Sequence, residues 1–116
     1  MTYIYIQPNV IVKSMMNDKD LIQQFVDMYT AQCPVDFDKL SKSIQQNDRQ
    51  GIADMAHHMK PTMEYVGATA LRLDFQELEC VATTADRADI VEKFNILHAK
   101  FRDFMRELSH YRASIR

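Results

Sequence analysis

His57 and Lys60 are the residues of this chain whose types and spacing offer chemistry. They stand one helical turn apart in a segment whose apolar positions, Ile52, Met55, Ala56, Met59, Met63 and Val66, repeat at helical spacing. With the centre of that stripe at zero and about 100° per residue, His57 lies roughly 140° away, Lys60 roughly 80° and Glu64 roughly 120°, all on one flank. His58 falls at roughly −120°, on the opposite flank beside Tyr65. Only His57 has a lysine one turn away. A neutral imidazole nitrogen can attack phosphorus directly, and phosphoryl transfer asks mainly for positioning and for positive charge beside the phosphoryl oxygens. Lys60 can supply that charge. Pro61 is compact beside His57 and removes the amide that would bond to the His57 carbonyl. Taken from spacing alone, such a pair is more often a solvated helix flank, and such a proline a simple kink.

The elements that must position these residues are legible as helices. From Asp20 to Gln46 the apolar positions Leu21, Phe25, Tyr29, Cys33, Phe37, Leu40 and Ile44 follow steps of four or three, with Asn17 and Asp18 as an N-cap. The stripe keeps its phase through Pro34, which predicts one long helix bent there. Asn47 and Asp48 close that helix and cap the His57 helix, which ends at Gly67. Thr69 is the expected cap of a third helix with Leu71, Phe75, Leu78 and Val81 inward. Asp86 is the expected cap of a fourth, with Ile90, Phe94, Leu97, Phe101, Phe104, Leu108 and Tyr111 on one side. Linkers of about two to six residues imply antiparallel neighbours. Tyr3 to Ile6 reads as extended, and a short helix from Pro8 to Met16 suits proline at a helix start and would lid one end of the bundle. The fold expected is all-α: an antiparallel up-down four-helix bundle with a short N-terminal helix or lid.

Composition narrows the function classes. A chain of 116 residues with 47% hydrophobic and 26% charged residues fits one domain, residues 1–116, with no internal repeat or linker. Two glycines and three prolines are too few for a chain that turns often. A net charge of −2 and a pI near 6.0 argue against the concentrated basic face of a nucleic-acid binder. No apolar run approaches the ~20 residues of a membrane span, and the start lacks a signal peptide's pattern. Cys33 and Cys80 form no metal spacing and read as packing residues of a reducing compartment, which implies a cytoplasmic protein. A Met1 start and a charged end at Arg116 suit a free-standing chain. No Gly-rich phosphate loop marks an ATP site. Adjacent His57 and His58 diverge by about 100°, so they do not easily share a metal. His98 and His110 read as ordinary residues of the last helix.

The stretch Ala56-His57-His58-Met59-Lys60-Pro61-Thr62, then Val66-Gly67-Ala68 and Leu71, resembles the signature of histidine-containing phosphotransfer (HPt) domains. That family shows Ala-His-x-Leu-Lys-Gly-Ser, a Gly-Ala some ten residues on, and a helix ending in Glu-Leu-Glu, here Glu77-Leu78-Glu79. The similarity runs across roughly residues 8 to 112, including the proline of the preceding helix and the Asn-Asp turn. Pro61 departs from the usual glycine. Asp74 stands where the third helix often has an apolar residue, which puts the packing of that helix in question.

The resemblance makes His57 the phosphoacceptor and Lys60 the phosphoryl-stabilising cation. Glu79 takes the place of a polar residue that bonds the active imidazole, and Gln76, one turn earlier, is a weaker candidate for the same task. A carboxylate holding the Nδ1 proton would leave Nε2 free as nucleophile. The implied function is a phosphorelay carrier between receiver domains, meeting response-regulator receivers or a hybrid sensor kinase. It needs no cofactor of its own, Mg²⁺ coming from the receiver, and a monomer without ATP-dependent kinase activity is expected. The alternative is a helical adaptor or inhibitor that binds a receiver or kinase without carrying phosphate. A helical hydrolase or metal protein is disfavoured by the spacing.

Overall fold

The computed structural model describes residues 1–116. Five helices and no strand make up the fold: α1 Pro8–Ser14, α2 Lys19–Gln45, α3 Arg49–Tyr65, α4 Thr69–Val81 and α5 Arg87–Ser114. Three turns share one physical device. After α1, α2 and α3 the chain enters the left-handed region at Met16, Asn47 and Gly67, with φ of 55°, 52° and 76°. In each, paired backbone bonds close the last turn; for α3 these run from the Gly67 and Ala68 amides to the Glu64 and Met63 carbonyls. Asp18 and Asp48 cap α2 and α3 by accepting from the Leu21 and Gly51 amides.

One expected cap is corrected, and another holds its place without a side-chain bond. Ala68, not Thr69, is the N-cap of α4, and no side chain caps it. The turn at Gly67 feeds directly into the helix, so Thr69 is already its first residue. Asp86 stands at the N-cap of α5 but makes no side-chain cap bond.

α2 runs unbroken through Pro34. Its buried face departs from the expected stripe at the start: Ile22 and Val26 are buried, while Leu21 and Phe25 are half-buried. Steps of four drift by about 40° each on a helix, so a stripe extended backwards from Cys33 rotates off the core within three steps. Val81 is likewise only half-buried, whereas every inward residue expected of the last helix is buried.

α2 packs on α3 and α5, and α4 packs on the same two helices, so the four surround one core; α1 rests on α3. At mid-core Phe37 of α2 stacks on Phe101 of α5 at 4.1 Å and on Phe94 at 5.3 Å. The 44 Å long axis matches a helix of 28 residues such as α5, about 42 Å at 1.5 Å per residue. Asp74 does not disturb α4, because Lys100 of α5 pairs with it at 3.0 Å.

The first seven residues lie against the bundle without regular structure. Glu107, buried in α5, accepts the amides of Ile4, Tyr5 and Ile6 at 2.9–3.1 Å. Gln7 then bonds by its amide to the Val66 carbonyl and by its side chain to the Gly67 carbonyl. No helix is long and apolar enough to cross a membrane.

Candidate functional site

α3 is wedged between α2 and α4, and each neighbour holds one of the two histidines. His57 Nδ1 lies 2.9 Å from Glu79 Oε2 on α4. His58 Nε2 lies 3.2 Å from Asp36 Oδ2 on α2, whose other oxygen accepts from Gln32 at 2.9 Å. An angle of about 100° around the helix thus becomes a difference of partner helix. His58 pairs with Asp36 rather than simply flanking Tyr65.

An ionised carboxylate only accepts, so the Glu79 contact places a proton on His57 Nδ1, and in the neutral ring the Nε2 lone pair is then free. The His57 side chain is 67% exposed, which gives that nitrogen access from solvent. Lys60, one turn on, is drawn into the α3–α4 groove and is only 18% exposed. Its ammonium lies 2.7 Å from Glu79 Oε1 and donates to Gln76 Oε1 at 2.7 Å. Gln76 in turn donates to Cys80 Sγ at 3.3 Å. Gln76 therefore serves the lysine and not the imidazole, a correction to its expected place. Glu64, on the same flank by helical angle, is exposed and stays outside this network.

Charge follows geometry. The Lys60 ammonium beside Glu79 is the chief influence holding that carboxyl below its ordinary range, ahead of His57, while burial works the other way. Cys33 is a packing residue as expected, its thiol pushed up to about 12 by burial. Cys80 is not; it is exposed on α4 beside the site. No group of three or more His, Cys, Asp or Glu side chains is placed to hold a metal ion.

The family model of the Hpt domain matches residues 24–111, from within α2 to within α5. The chain belongs to the Hpt domain family. No curated protein and no solved structure matches it. As an Hpt domain it falls within phosphotransfer in two-component signalling, and receiver domains and kinases are the partners such domains meet. The match takes in His57, Lys60, Gln76 and Glu79, together with the Asp36–His58 pair that helical angles alone did not connect. One signal for Asp36 was available: it occupies the apolar phase of α2 between Cys33 and Phe37, where a polar residue needs a partner.

Proposed function

We propose that this Hpt domain carries a phosphoryl group on His57 Nε2 as an intermediate of a multistep phosphorelay. It takes the group from the aspartyl phosphate of one receiver and passes it to another. The observation carrying this reading is the divided use of the ring: Nδ1 engaged by Glu79 at 2.9 Å, the remainder of a 67% exposed side chain open to solvent. The Nε2 lone pair attacks phosphorus, the acyl-phosphate P–O bond breaks, and the aspartate leaves as carboxylate. The ring keeps its Nδ1 proton and becomes cationic, a charge Glu79 offsets, while Lys60 offsets charge on the phosphoryl oxygens. Transfer onward reverses these steps.

Mg²⁺ belongs to the receiver's acidic pocket in this reading, and the chain alone neither hydrolyses ATP nor labels itself. We further read residues 1–116 as one cytoplasmic, monomeric domain. Its four long helices form an up-down antiparallel bundle, which short connections favour, with α1 and the first residues as a lid.

The test is incubation with a phosphorylated receiver and Mg²⁺. Acid-labile, base-stable label is expected on the chain, lost in His57→Gln and kept in His58→Gln. Label persisting in His57→Gln would overturn the site, and tight binding of cognate receivers without transfer would favour the adaptor instead.

A further inference from the structure

Glu79 faces two cations once the reaction begins. Before phosphorylation its carboxylate already holds Lys60 on Oε1 and the imidazole on Oε2. Its Oε1 is buried and meets the ammonium closely, yet without the alignment of a hydrogen bond. Gln76 Oε1, by contrast, takes a well-formed bond from the same ammonium at 2.7 Å. A lysine can only donate, so the amide must present its oxygen to Lys60; its nitrogen then points to Cys80 Sγ, as found. Lys60 therefore has one charged partner that the reaction will claim and one neutral partner that it leaves alone.

We propose that Gln76 is a positioning residue for Lys60, holding the ammonium in the groove when the phosphorylated, cationic imidazole takes over Glu79. This rests on the reading of His57 as phosphoacceptor. With the ring neutral, Lys60 is the counter-ion of Glu79. When Nε2 bonds phosphorus and the ring gains charge, Glu79 turns to Nδ1–H and its hold on Lys60 weakens. Gln76, uncharged, keeps its bond whatever the state of the ring. One of the three ammonium donors serves Gln76, which leaves the others for the phosphoryl oxygens once the pull of Glu79 on the ammonium weakens. Without Gln76 the ammonium leans on Glu79 alone and competes with the imidazolium it should assist.

Phosphoramidate separates this step from receiver docking. Its N–P bond breaks, ammonia leaves with the electron pair, and Nε2 bonds phosphorus. Phosphohistidine formation is followed by ³¹P NMR in wild type, Gln76→Met, Lys60→Ala and the double variant, with His57→Gln as control. We expect Gln76→Met and Lys60→Ala to slow formation by similar factors of about tenfold, below the roughly 10²–10³ of a rigid buried donor. The double variant is expected to be no slower than Lys60→Ala. Gln76→Glu, which keeps an acceptor for the ammonium, should recover most of the rate. The ¹⁵N spectrum of the imidazole should show the Nδ1–H tautomer in every Gln76 variant. Multiplying effects in the double variant, a wild-type rate in Gln76→Met, no recovery in Gln76→Glu, or a changed tautomer would each overturn the proposal. A phosphohistidine signal surviving in His57→Gln would instead overturn the reading beneath it.

Discussion

Glu79 is the residue on which the site turns, because one carboxylate engages both the candidate nucleophile and its cation. The contact with Lys60 lowers its affinity for protons in the folded chain. A carboxyl depressed on folding contributes stability that is in place above its unfolded value and is lost as pH falls through its folded value. The stability difference between wild type and Glu79→Gln, from urea melts across pH, is therefore expected to be largest near neutrality. It should shrink on acidification below the ordinary carboxylate range. A difference that grows in acid would contradict the pairing. His58 and Asp36 form a second pair on the other flank, so the two histidines are adjacent in sequence and separate in chemistry.

At the scale of the element, the turn after α3 is the most constrained point. Gly67 sits at φ +76°, and a Cβ there would stand 2.7 Å from Gln7 Cβ and 3.0 Å from Val10 Cβ. The left-handed conformation alone costs an L-residue about 1–2 kcal/mol, and the contacts with Gln7 and Val10 add to it. Gly67→Ala is expected to destabilise the fold by about 2 kcal/mol or more in urea denaturation. A change under about 0.5 kcal/mol would contradict both the backbone cost and the crowding by Gln7 and Val10. Asn47 makes the same turn after α2, using the tolerance of asparagine for positive φ.

For the whole molecule, Glu107 joins the chain's two ends. It is 5% exposed and accepts three successive amides from Ile4 to Ile6, across about a hundred residues of sequence. Tyr3 adds a bond to His110 at 2.8 Å. Glu107→Ala leaves those amides without their acceptor, at roughly 1–3 kcal/mol for each that stays buried. We expect fast hydrogen exchange at residues 4–6 and a loss of global stability of a few kcal/mol. Retained protection at those amides would mean another acceptor replaces the carboxylate. At mid-core, Phe101→Ala removes a ring stacked on Phe37 and 4% exposed, and is expected to cost about 3–5 kcal/mol.

Periodicity by itself determined the helices, because a buried stripe on a helix must repeat near every 3.6 residues and the turn residues between stripes have few other uses. It also placed His57 and Lys60 on one flank and His58 on the other, since angle around a helix is a local quantity. It lost accuracy where steps of four drifted, at Leu21 and Phe25. Resemblance, not spacing, pointed to Glu79 as the partner of the imidazole. Only the tertiary structure decided that Gln76 serves Lys60, that Asp36 holds His58, and that Glu107 clasps the first residues. Those partners come from other elements, and no helical angle states which helix will lie alongside. Asp36 and Glu107 each left a mark in the sequence as a charge in an apolar phase. The mark shows that a partner is needed; packing alone chooses it.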